Sequence, residues 1–156
     1  IMIDGEEAKR IITDRAMHYI SHPDPNHRFL SGDHFDVDHA HFLRMKKTLL
    51  RLERLLDFPC SASLWVRVEG LDGTMTLAVQ NGSLHRYYRF GAEKMEAPAE
   101  MAECIEMGQT VVAPLEHPSR TITVLAPVFD SLGDVSGAVE FSARHPASQS
   151  LPPAWS

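Results

Sequence analysis

The sequence is short of the features that mark several large functional classes. Its two cysteines, Cys60 and Cys104, form no CxxC pair, which removes zinc-ribbon, haem-attachment and thioredoxin-type chemistry. No apolar run approaches the roughly 18 residues needed to cross a bilayer, and no leader pattern stands at the start. Lys and Arg number 15 against 21 Asp and Glu, a formal net charge of −6. The chain therefore lacks the basic face that nucleic-acid binding requires, and no nucleic-acid partner is expected. Gly-rich phosphate loops and GxSxG elbows are absent. Ser, His and Asp fall into no nucleophile–base–orienter set, so the chain is not expected to be an enzyme or to carry a cofactor. The two cysteines read first as small apolar core residues, because a disulfide needs a geometry that spacing does not show.

What is present fits one globular domain. The chain has 156 residues, of which 44% are hydrophobic, enough to close a core. It begins at Ile1 and is expected to be a segment of a longer protein. Residues 5–21 carry Ala8, Ile11, Ile12, Ala16, Tyr19 and Ile20 at helical spacing, with Asp4 as N-cap. The prolines Pro23 and Pro25 end that helix. A second helix is predicted over 36–56, striped by Phe42, Met45, Leu49, Leu52 and Leu56, with Asp36 or Asp38 as its cap.

After Pro59 the period changes to two. Leu64, Val66 and Val68 alternate with Trp65, Arg67 and Glu69, and a second strand follows Asp72-Gly73. A short helix over 98–107 is closed by Gly108. Strands are predicted at 110–115, 120–129 and 135–143, the last two joined by a loop at 130–134. The expected fold is α+β and PAS-like. It has a central antiparallel five-stranded sheet, two long N-terminal helices on one face, and a short helix between strands 2 and 3. Residues 1–144 make the domain, and 145–156, with three prolines, read as a linker tail.

Two segments carry candidate chemistry. The first is 84–90, with Arg86, Tyr88 and Arg89. It offers guanidinium forks and amphipathic rings, the mixture that a pocket for a small organic anion needs. Trp65 and Arg67, on the strand face opposite Leu64 and Val66, are expected to line the same cavity, with Arg120, Thr121 and Thr123 facing it from a later strand. An equal alternative is a surface strand whose aromatics pack on a neighbour. The second segment is the Asp/His run 33–41. There only His34, Asp38 and His41 have the spacing of one helix face and could ligate a metal. The preferred reading of that run is a polar loop with a helix cap.

The order of elements resembles the Cache (PDC) sensor family over residues 5–144. The resemblance is carried by the striped helix leading into Ala62-Ser-Leu-Trp-Val-Arg-Val, by Ala99-Glu-Met-Ala-Glu-Cys-Ile-Glu-Met-Gly108, and by the Pro-Val-Phe-Asp turn with its returning strand within 125–139. GAF domains, which are cytoplasmic small-molecule sensors, show a similar hairpin and helix–Gly–strand unit. The likeness implies a ligand-binding sensor domain of a bacterial signal-transduction protein: a chemoreceptor, sensor histidine kinase or diguanylate cyclase. It implies an extracytoplasmic position, flanking membrane segments, an output domain, a small-molecule ligand and a possible homodimer. A cytoplasmic GAF sensor and a ligand-free dimerisation module are the alternatives. The amino-acid-binding signature of the double-Cache type is missing, so no ligand identity follows.

Overall fold

The computed structural model describes residues 3–24, 36–82, 94–116 and 121–144. The expected first helix is two short ones, α1 (Gly5–Arg10) and α2 (Asp14–Ile20). Asp4 caps α1 as expected, accepting from Glu6 N at 2.9 Å. The break falls at Ile11-Ile12-Thr13, a β-branched run that favours extended backbone. Ile12 pairs with Val37 in an isolated antiparallel bridge. Thr13 N donates to the Asp36 carbonyl at 3.1 Å, and Asp38 N donates to the Ile11 carbonyl at 2.8 Å. A tertiary partner therefore outcompetes helical continuity. The apolar residues still share one interior, since Ala8, Ile11, Ala16 and Ile20 are all buried.

The same bridge delays α3 (His39–Arg54), which starts three residues later than predicted because Val37 is held in the bridge. Asp38 is its N-cap and accepts from His41 N at 3.2 Å. Met45 and Leu49 are buried, with Phe42 and Leu52 beside them, so the predicted stripe faces the sheet as far as Leu52, while Leu56 lies past the helix end and is exposed. No helix among the described residues is long and apolar enough to cross a membrane.

Among the described residues the sheet has six strands rather than five: β1 (Cys60–Arg67), β2 (Thr74–Gln80), β3 (Met95–Glu96), β4 (Val111–Glu116), β5 (Thr121–Phe129) and β6 (Val135–Arg144). Its order is β3-β2-β1-β6-β5-β4, and every pairing is antiparallel. The extra strand is two residues long and pairs with Thr74 and Met75, too short to show a period. The short helix α4 (Ala99–Met107) accordingly follows the third strand, not the second. Gly108 ends it in the left-handed region at φ 62°, where a side chain would be strained.

Alternation along β1 divides the interior in two. Ala62, Leu64, Val66 and Val68 face α1, α2 and α3 in one buried cluster. Trp65 faces the other way, joining Met75, Met101, Cys104, Leu125 and Ala138 beneath α4. Leu64 pairs with Val79 but Trp65 pairs with Leu77, so Ala78 is an extra residue in a β-bulge. That bulge lets adjacent Ala78 and Val79 both serve the first cluster. Strands β1 and β6 approach closely at Gly137, where a β-carbon would lie 2.2 Å from the Trp65 carbonyl oxygen. Both cysteines are free, Cys104 buried and Cys60 half-buried. Burial raises the pKa of each thiol, with the Glu53 charge adding to the effect at Cys60. Neither is therefore an activated nucleophile.

Candidate functional site

A cleft of about 410 Å³ opens where β1 runs into the hairpin toward β2. Sheet, hairpin and three helices build it, with Met17 of α2 also on its lining. Val66, Arg67 and Val68 come from the strand end, Gly70 to Thr74 from the turn, Ala102, Ile105 and Glu106 from α4, and Lys9 from α1. The turn depends on glycine, because Gly70 and Gly73 have φ near 77° and 76°.

Arg67 is the predicted site residue that this cleft contains. It lies on the α4 face of β1, is exposed, and donates from Nη1 to the Val135 carbonyl at 3.3 Å. A carbonyl at that distance uses one of its five N–H groups and leaves a fork for a carboxylate. The other cation, Lys9, is already engaged. It lies 3.0 Å from Asp130 Oδ2 and 3.3 Å from Glu6 Oε1. The hydrogen bond to Asp130 raises the Lys9 pKa, and in return the Asp130 pKa is lowered. Asp130 also holds the β5–β6 turn through the Leu132 and Asp134 amides, at 2.9 and 3.0 Å. Glu69, Asp72 and Glu106 complete the charged lining.

The remaining predictions divide. Trp65 lies on the expected face but is core, 9% exposed, and its Nε1–H has no acceptor among the described residues. Thr123 shares the face, but its hydroxyl pairs with Ser142 at 3.0 Å. Ser142 pairs with Ser61 on β1, so Thr123 lies roughly 20 Å along the strands from Arg67 at the usual strand rise. The sheet does not bring the two together. Arg86, Tyr88, Arg89 and Arg120 lie outside the described residues, as does His34.

Of the candidate metal set, Asp38 and His41 are described and His34 is not. Among the described residues no cluster of His, Cys, Asp and Glu is arranged to hold an ion. The Asp38 carboxylate caps α3, and His41 Nδ1 accepts from Arg44 Nη2 at 2.8 Å. Arg44 Nε in turn donates to Glu7 Oε1 at 2.5 Å, tying α3 to α1. The spacing that suggested ligation serves a helix cap and an inter-helix ion pair.

Three buried polar residues were invisible in the sequence. Lys46, on the sheet face of α3, donates to the Gln80 carbonyl, and burial lowers its pKa. Lys94 donates to the carbonyls of Ile20 and His22 at 3.2 and 3.3 Å, satisfying the end of α2. Asn81, which reads as a turn residue beside Gly82, is 5% exposed and its side chain bonds both β1 and α3. Period and turn signals report a residue's neighbours in the chain, and these partners come from far along it.

No family model matches the chain, and no curated protein matches it. Among solved structures it is similar to the GAF domain of a two-component sensor histidine kinase from Bacillus halodurans. The two are 12% identical with a TM-score of 0.44, over 73% of this chain and 82% of that one.

Proposed function

We propose that the chain is a small-molecule-binding sensor domain of a signalling protein, and that its ligand is a small organic acid held at Arg67. The observation that carries this reading is a guanidinium, bonded to one backbone carbonyl and to no carboxylate among the described residues, in a cleft of ligand size. Pockets for small molecules run from roughly 300 to 1,000 Å³, with apolar walls and a few aimed polar groups. The 410 Å³ cleft has Val66, Val68, Met75 and Ile105 as walls. Because Lys9 is neutralised by Asp130 and Glu6, Arg67 is left to meet an anion. Glu69, Asp72 and Glu106 favour a ligand that also carries an amino or hydroxyl donor.

The site suits signalling because it joins α1, α4 and the β1–β2 turn. A ligand that binds one arrangement of these elements better shifts their equilibrium by its own preference, and by no more than that. The parent's hydropathy on either side of this segment separates a membrane-anchored Cache sensor from a GAF sensor, since spans of about 20 apolar residues mark the former.

The test is a thermal-shift screen with mono- and dicarboxylates, hydroxy acids and amino acids. A true ligand at about 100 times its Kd stabilises by about 2.7 kcal/mol. That corresponds to a rise of several degrees, and Arg67→Ala abolishes it. A panel that moves nothing, or a shift that survives Arg67→Ala, defeats the reading.

A further inference from the structure

We infer that the outer face of α3 is a docking surface for an acidic amphipathic helix of a partner protein. The helix has two sides. Met45 and Leu49 turn inward and are buried against the sheet. On the opposite side Ala40, Leu43, Lys47, Leu50 and Arg54 recur at alternating steps of three and four, with Arg51 beside them. Leu50 is half-buried and the others are exposed. Lys47, Arg51 and Arg54 make no hydrogen bond or ion pair with a described residue. Arg44, at the edge of this face, is committed to Glu7 and His41. No acidic residue of α3 shares the face. Glu53, the one carboxylate of the helix, lies on the inner side and accepts from Asn81, and Asp57 falls past the helix end. A chain of net charge −6 thus keeps one helix face cationic.

Two observations choose the occupant. The first is sign: three cations without partners among the described residues, within two turns, are complementary to carboxylates at matching steps. The second is period. Ala40, Lys47 and Arg54 stand seven residues apart in turn, and so do Leu43 and Leu50. Such a seam is met by a second helix laid alongside, with leucine against Leu43 and Leu50 and acid against Lys47 and Arg54. From Ala40 to Arg54 it runs roughly 21 Å at the helical rise, so a partner helix of about four turns covers it. A second copy is a poor fit, because a two-fold contact between α3 helices sets Lys47, Arg51 and Arg54 against like charges. An anionic bilayer or a nucleic acid meets a wider surface, which the overall charge of −6 opposes. The Arg67 cleft takes no part, since no residue of α3 lines it.

The probe is a synthetic peptide of about three heptads, with leucine at the two seam positions and glutamate beside them. Fluorescence anisotropy is expected to show saturable binding to the whole chain, weakened at least about tenfold between roughly 0.05 and 0.5 M salt. The same peptide with lysine for glutamate should not bind. Charge reversal by Lys47→Glu, Arg51→Glu and Arg54→Glu together should invert that preference. Glutamine at the same three positions should weaken the acidic peptide at least about tenfold. All three positions are exposed, so both variant sets should keep the wild-type circular dichroism. Four results would overturn the proposal. One is no saturable binding of the acidic peptide at low salt. Another is equal binding of the two peptides, or acidic-peptide binding that survives charge reversal. A third is binding to phosphatidylserine vesicles but not to the peptide, lost on charge reversal, which would assign the face to a lipid surface. The last is a wild-type dimer in sedimentation velocity that Leu43→Asp dissociates, which would make it an interface between copies.

Discussion

The side-chain amide of Asn81 donates to Glu53 Oε2 at 2.9 Å, joining the end of β2 to the last turn of α3. The same amide donates to the Cys60 carbonyl at 3.1 Å, and its oxygen accepts from Ala62 N at 3.0 Å. One buried residue thereby fixes the start of β1, the end of β2 and the end of α3. Asn81→Leu leaves the Ala62 N–H and the Cys60 carbonyl without these partners inside the fold. A loss of about 2–4 kcal/mol in urea unfolding is expected. A loss under about 0.5 kcal/mol, the usual range for surface changes, would show that water replaces the amide at no cost.

Backbone crowding at Gly137 gives a second expectation. A β-carbon there meets the Trp65 carbonyl oxygen at 2.2 Å, and both atoms belong to paired strands that cannot part without breaking β1–β6 pairing. Gly133 has a positive φ of 86° but open space around it. Gly133→Ala should therefore cost about 1–2 kcal/mol from conformation alone, while Gly137→Ala should cost more than about 3 kcal/mol or prevent folding. Equal midpoints for the two variants would mean the strand contact is looser than described.

The Lys9–Asp130 contact predicts a pH window. The Lys9 hydrogen bond lowers the Asp130 pKa from 3.8, so its contribution is present above that value and fades as pH falls through the lowered one. Lys9 is raised from 10.5, mainly by the same bond, so its contribution is present below that value and fades as pH rises through the raised one. Asp130→Asn keeps an acceptor for the turn amides but not the charge. Its melting temperature should fall below wild type near neutrality, and the two should converge at both pH extremes. The gap should also narrow modestly in salt, because the Lys9 ammonium is exposed while the Asp130 carboxylate is largely covered. A gap that is constant across pH would assign the effect to turn geometry.

Trp65 supplies the fourth prediction. Its Nε1–H is buried without an acceptor among the described residues, a cost of about 1–3 kcal/mol to the folded state. Trp65→Phe removes the donor and keeps an aromatic ring among Met75, Met101 and Leu125. The gain and the lost ring volume should nearly cancel, giving a change under about 1 kcal/mol, whereas Trp65→Ala should lose about 3–5 kcal/mol. A large loss in the phenylalanine variant would show that the indole N–H has a partner in solution.

Much of the sheet is written in local pattern. The alternation at 64–69, the Asp72-Gly73 turn and the 130–134 loop place five strands and their antiparallel sense. The sixth strand needs Met95 to find Met75, a pairing that no run of two residues announces. The split of the first helix is likewise a tertiary effect, since Ile12 is claimed by Val37 while the spacing of Ala8, Ile11, Ala16 and Ile20 reads as continuous helix. At the site, side-chain alternation put Trp65 and Arg67 on the right face, but it could not tell that one is covered by α4 and the other opens into a cleft. For Thr123, face was legible and position along the strand was not.

The short edge strand β3 and its counterpart β4 have a consequence for association. A sheet recruits a neighbour through a long row of unpaired amides and carbonyls. Here one border is two residues long, and the other contains Pro114, which has no amide to donate, beside a register shift between Ala113 and Glu116. Neither border is a good template for continuation. Self-assembly by strand addition is thereby discouraged at both ends, and contacts between copies are left to side-chain surfaces.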